Sequence, residues 1–232
     1  AQIDPFAMVD DEDNNRLFNL RAWQRGGVKD FAKNRMFLLD KISELDDPEE
    51  KTDTVFQLAL LYFANGLGDE TLGLLDLVAS DDEDLSKRLS FLAIRGAAKA
   101  LAGRHEEAIE DLGTAALQDQ PEARLWRGFA AAAHEEWRLA ESLFPAETVL
   151  LNGYPEKLAI PMTLYMAESA LRSGDPARAA KLLEMLDIYE DNLPVRHRAA
   201  QLYLQGEMFR QNNQPEKALE EWRKAILYRD RL

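Results

Sequence analysis

Three histidines and several runs of carboxylates are the residues of this chain whose types could do chemistry. His134-Glu135-Glu136 begins like the helical zinc-hydrolase motif, in which two His one turn apart hold the metal and a Glu acts as base. That motif needs a second His at position 138, where this chain has Arg138. Behind His105, the carboxylates of Glu106, Glu107, Glu110 and Asp111 stand close enough in sequence for acid–base pairing. Such pairing requires a cleft that drives two carboxyl pKa values apart, whereas acids in the first turn of an exposed helix are explained by its dipole. "DDEDL" at 81–85 lacks the Gly and the alternating ligands of a calcium loop and reads as a loop leading into a helix start. "RGGVKD" at 25–30 is followed by no phosphate-loop pattern and reads as a helix-breaking turn. Nucleophile elbows and dinucleotide fingerprints are absent. These residues predict no catalytic role, no cofactor and no metal.

Composition narrows the remaining classes. The 232 residues include 42 acidic and 28 basic ones, a formal charge of -14. A chain so acidic repels phosphate, which argues against nucleic-acid partners and anionic membrane surfaces. With no Cys, disulfides, thiolate catalysis and Cys-ligated zinc are excluded, and the cytoplasm and the bacterial periplasm remain open as compartments. No apolar run is long enough for a membrane span, so no direct membrane insertion is expected. "AQIDPFAM", residues 1–8, reads as a vector-derived linker, and "VDDEDNN", residues 9–15, as a disordered acidic lead. Residues 16–232 read as a single helical repeat domain.

The elements that would position any site show themselves as a recurrence. In "LAGRHEEAIEDLGTAAL" a Gly turn at Gly103 is followed by a small residue, Ala108, and then by Leu112. The same order recurs around Ala32, Gly73, Ala140, Ala179 and Ala218, so that the six anchors are 41, 35, 32, 39 and 39 residues apart. A small residue lets two antiparallel helices approach closely, and a large one a turn later fills the space beside it. Asp175-Pro176 and Asp47-Pro48 supply an N-cap followed by Pro at the first helical position. Pro121, Pro155 and Pro215 mark three further starts. Helix pairs are expected near 15–25/30–45, 49–65/69–79, 85–102/105–118, 121–134/137–151, 157–173/176–188 and 195–211/215–229, with the second helix of the fourth pair running on through "FPAETVLL". No stretch alternates with the period of a strand.

This recurrence resembles the tetratricopeptide repeat family. The last unit carries it best, with Leu202, Gly206, Phe209, Ala218, Trp222 and Ala225 on the family's signature positions. The units at Gly73 and Ala32 are degenerate. The resemblance implies an all-α fold, a right-handed α-solenoid of about six antiparallel helix pairs whose first helices line a concave groove. It also implies a protein or peptide partner lying in that groove. By register the partner-binding positions are Tyr62, Ile94, Leu101, Trp126, Phe129, Tyr165, Glu168, Arg172, Tyr203, Glu207 and Arg210, with Leu58, Ala97 and Ala133 among them. The family's Lys, Arg and Asn clamp for a terminal carboxylate is missing. The apolar stripe has a second reading as core, buried by a tight superhelix or covered by another segment.

Three functions follow as expectations. The first is a non-enzymatic protein–protein interaction scaffold; the Ala-rich, Cys-free composition places it in a bacterial envelope, secretion, pilus or motility assembly by association only. The second is a homo-oligomerising module, because the last unit lacks a polar capping helix. The third is the regulatory array of a larger enzyme.

Overall fold

The computed structural model describes residues 16–26, 29–146, 148–189 and 193–229. Residues 1–15, read as a linker and an acidic lead, lie outside them. Among the described residues every regular element is helical: α1 (Leu20–Gln24), α2 (Phe31–Glu44), α3 (Pro48–Ala64), α4 (Gly68–Asp81), α5 (Glu83–Ser86), α6 (Leu89–Leu101), α7 (His105–Leu112), α8 (Pro121–Ala133), α9 (Trp137–Leu143), α10 (Glu156–Arg172), α11 (Pro176–Glu184), α12 (Val195–Gln211) and α13 (Pro215–Arg229). No helix is long and apolar enough to cross a membrane.

The helices begin where the chemistry of their caps says they should. The Asp47 and Asp175 carboxylates each accept the backbone N–H three residues on, at 2.9 Å, just ahead of Pro48 and Pro176. Asp82 does the same for α5. α8 and α13 start on Pro121 and Pro215, where a missing N–H removes no helical bond.

Five helix pairs form the body: α3/α4, α6/α7, α8/α9, α10/α11 and α12/α13. Two positions beyond the end of each first helix stands a left-handed residue, namely Gly66, Gly103, Glu135, Gly174 and Asn213. Five residues later comes a buried anchor: Thr71, Ala108, Ala140, Ala179 or Ala218. Within a pair, the small residue of the first helix faces a large one of the second. A Cβ on Gly96 would stand 2.7 Å from Leu112, one on Gly128 2.9 Å from Phe144, and one on Gly206 2.3 Å from Trp222. Successive first helices also touch, α6 on α8, α8 on α10 and α10 on α12, while α4 packs on α6, α7 on α8, α9 on α10 and α11 on α12.

Four expectations are corrected. Gly73 is not an anchor, since nothing approaches its Cβ position. The anchor is Thr71, which fits because its hydroxyl donates to Leu67 O at 2.6 Å. Gly68 has another role: its Cβ position lies 2.6 Å from the Ala102 backbone, so it admits the crossing of α4 over α6. The Ala32 unit is not a sixth pair, because Ala32 is exposed and α1 and α2 each pack on α3 instead. The second helix of the fourth pair stops at Leu143, where Phe144 turns extended to fill the space beside Gly128 and Pro145 follows; a separate 3-10 turn covers Val149–Leu151. α7 is likewise shorter than expected, ending at Leu112, whereas α11 passes at Glu184 into a 3-10 helix over Met185–Tyr189, so that helical backbone covers the expected 176–188.

Candidate functional site

Three things happen along the face made by the first helices. At its start α2 lies over α3. Leu38 packs with Leu58 and Leu61, the Phe31 ring stands 5.9 Å from that of Tyr62, and Arg35 Nε donates to Tyr62 Oη at 2.8 Å.

In its middle the face is covered by residues 16–24. Phe18, Leu20 and Trp23 are buried. The Phe18 ring meets Phe63 at 5.4 Å, and it meets Trp126 at 6.1 Å with the planes at 89°, both edge to face. The polar anchor is Glu122, on the first turn of α8 and fully buried. Its Oε2 accepts the backbone N–H groups of Leu17 and Phe18, the latter at 3.1 Å. Its Oε1 accepts Tyr154 Oη at 3.0 Å, and Tyr154 Oη in turn accepts Trp126 Nε1 at 3.2 Å. Arg16 donates to Val149 O at 3.3 Å. Burial raises the Glu122 carboxyl above the usual carboxylate range, opposed by these donors and by the Arg16 charge. Burial, and then the neighbouring Glu122 charge, push the Tyr154 hydroxyl well up.

Toward its end the face opens into a cleft of about 430 Å³ between α10 and α12, lined by Leu164, Tyr165, Glu168, His197, Tyr203 and Leu204 among others. A second, larger cavity adjoins it through Pro161, Arg196 and His197 and runs past Lys157 to Leu101 and Tyr154. Tyr203 is 51% exposed. His197 is held below the ordinary imidazole range by burial and by the Arg196 charge. Burial and then Glu168 raise the Tyr165 hydroxyl.

The expected partner positions therefore separate into groups. Ile94, Trp126 and Phe129 are core, as are Leu58 and Ala97. Their assignment to an open groove is corrected, because residues 16–24 and the neighbouring helices cover them. Tyr62 lies under α2, and its hydroxyl is taken by Arg35. Leu101 is half-buried at the wall of the larger cavity. Tyr165, Glu168 and Tyr203 come together in the cleft. Arg172 bonds Glu168 at 2.8 Å but lays its guanidinium 4.2 Å over the Trp137 ring of α9. Glu207 and Arg210 bond each other at 2.9 Å along α12.

The sequence reading missed Phe18, Glu122 and Tyr154. An acid just after Pro121 looks like any dipole-complementing residue, and no local signal says that two amides about a hundred positions away will meet it. His105 and His134 stand with ring centroids 6.4 Å apart, and His134 Nε2 lies 3.2 Å from Glu106 Oε1. Among the described residues no group of three His, Asp or Glu side chains is placed to hold a metal ion. What the face can do chemically is hold polypeptide: aromatic rings take apolar side chains, and a buried carboxylate takes backbone N–H groups. No family model, curated protein or solved structure matches this chain.

Proposed function

We propose that the chain is a non-enzymatic interaction scaffold of the tetratricopeptide-like kind, a right-handed solenoid whose first helices form the binding face. The observation that carries this reading is the cleft between α10 and α12, where Tyr165, Glu168 and Tyr203 converge and Tyr203 is half exposed. Aromatic side chains on a concave wall anchor apolar groups of a partner segment, and flanking charges orient it. In a chain of charge -14, Lys157 and Arg196 stand beside Glu156 at the edge of the adjoining cavity, and these two cations favour a segment with acidic residues. A role in a bacterial envelope, secretion, pilus or motility assembly belongs to the same reading.

Affinity capture, identification of the bound segment and titration calorimetry with the purified segment test it. Tyr165→Ala with Tyr203→Ala is expected to weaken binding at least tenfold at unchanged helicity. Equal affinity for variant and parent chain would overturn the cleft as the binding site.

A second reading is self-association. Leu219, Ile226 and Leu227 of α13 are half or more exposed, and Leu219 and Ile226, seven apart, share a helix face. Light scattering across a concentration series decides it: a mass that rises toward a dimer favours this reading, and a constant 26.3 kDa rejects it.

A further inference from the structure

Residues 17–23 cover the middle of the first-helix face as a ligand covers a receptor. They join it through side chains at positions 18, 20 and 23, through two backbone N–H groups, and through the single short helix α1 that packs on α3. We infer that the seat formed by Phe63, Glu122, Trp126 and Tyr154 is a binding site for a segment of the pattern aromatic-x-aliphatic-x-x-aromatic, and that Phe18, Leu20 and Trp23 occupy it as a displaceable internal ligand. This rests on the scaffold reading and names the chemistry of one of its partners.

Two observations carry the inference. The first is the polar group at the base of the seat. Burial of a carboxylate is unfavourable unless it is bonded, and two of the three donors that bond Glu122 belong to the covering segment. In a site that opens, a carboxylate has a state for each condition. Water solvates it when the seat is empty, and backbone N–H groups replace the water when a segment enters. Amide donors are common to every polypeptide, so Glu122 sets the height and direction of the incoming chain while the rings read its side chains.

The second observation is that the resident segment fits imperfectly. The indole Nε1 of Trp23 is buried with no hydrogen-bond partner, although Trp23 as a whole is 1% exposed. An orphaned donor weakens the interaction that buries it. A competitor with Phe at this position keeps the ring contact with Phe63, 6.4 Å away for the Trp, and leaves no donor unpaired. The partner's pattern is therefore Phe-x-Leu-x-x-Phe in preference to the chain's own Phe-x-Leu-x-x-Trp.

The test uses the full chain and a synthetic peptide copying residues 16–25, RLFNLRAWQR. Amide hydrogen exchange on the unaltered chain is the first readout. Excess peptide is expected to speed exchange of the chain's own Leu17 and Phe18 amides at least tenfold and to leave those of α8 unchanged. The peptide with Phe in place of Trp is expected to do so at a concentration at least threefold lower. A peptide N-methylated at the positions of Leu17 and Phe18 is expected to fail. As a second measurement, full-length Phe18→Ala with Trp23→Ala is expected to bind labelled peptide at least tenfold more tightly than the parent chain. Leu17 and Phe18 amides that exchange only with global unfolding, whatever peptide is added, overturn the inference. So does protection of these amides that appears only in a concentration-dependent dimer, which would put a second copy's residues in the seat. Loss of this competition with binding at the α10/α12 cleft intact removes the internal-ligand inference alone; loss of the cleft's binding removes the scaffold reading.

Discussion

Gly206 of α12 lies directly beneath the Trp222 ring of α13, so close that a Cβ on Gly206 would meet Trp222 Cδ1 at 2.3 Å. The indole is held there by its Nε1, which donates to Tyr203 O at 3.2 Å. The same small-under-large contact joins Gly96 to Leu112 and Gly128 to Phe144.

Adding a methyl at Gly206 therefore expels the indole and breaks its bond to Tyr203. Gly206→Ala is expected to destabilise the chain by about 1–3 kcal/mol, the range for an overpacked contact, although Ala is the better helix former. Urea denaturation checks the direction; a more stable variant would mean that the α12/α13 contact is looser than this.

Glu135 sits in the turn between α8 and α9 with φ at +63°, where the equivalent turns after α3, α6 and α10 have Gly. A side chain in that conformation is disfavoured by roughly 1 kcal/mol or more, and Gly gives part of this back through the entropy of the unfolded chain. Glu135→Gly is expected to be neutral or to stabilise by up to about 1 kcal/mol, measured by thermal melting.

Trp126 and Tyr203 were both expected on a binding face, but one is fully buried and the other is half exposed. Trp126→Ala is expected to cost about 3–5 kcal/mol of stability, as large core truncations do. Tyr203→Ala is expected to change stability by about 0.5 kcal/mol or less. Paired denaturant titrations separate the two roles, and a tolerant Trp126→Ala would contradict the covered face.

The pH dependence of Glu122 has the opposite sign to that of an ordinary paired carboxylate. Its folded pKa is raised, chiefly by burial, so the folded state binds the proton more tightly than the unfolded one. Its contribution to stability is most favourable below the unfolded carboxylate range and declines as pH rises through the interval up to the raised folded value. Glu122→Gln removes that dependence. The stability of the Gln variant relative to the parent chain is expected to increase with pH across the acid range, and a difference independent of pH would show that the carboxylate is not desolvated.

His105 and His197 are both held below the ordinary imidazole value of 6.5, His105 by burial and then by His134, His197 by burial and then by Arg196. The folded state thus disfavours their protonated forms, and their contribution to stability is lost as pH falls below 6.5. NMR titration of the imidazole C–H signals is expected to give both midpoints below 6.5; a midpoint above it for His197 would mean that its side of the cleft is solvated.

The sequence by itself determined the helices, most of their starts, and the internal packing of the pairs. These are local matters. A cap such as Asp175 acts three residues away, a left-handed turn residue acts at its own position, and the contact of Gly206 with Trp222 lies within one unit. The misplacement of the anchor at Gly73 shows the limit even there, since a Thr that satisfies its own hydroxyl stands in for the small residue the pattern looks for. What only the tertiary structure decided is which large residues of the first helices face the core and which face a cleft. Trp126 and Tyr165 have the same helical register, each nine residues before the left-handed residue of its turn, and their difference lies in what covers them. Phe18 reaches Trp126 across about a hundred residues of chain, while the cleft beside Tyr165 stays open. Periodicity reports the face of a helix on which a residue lies; the fate of that face depends on a segment whose arrival no local pattern encodes.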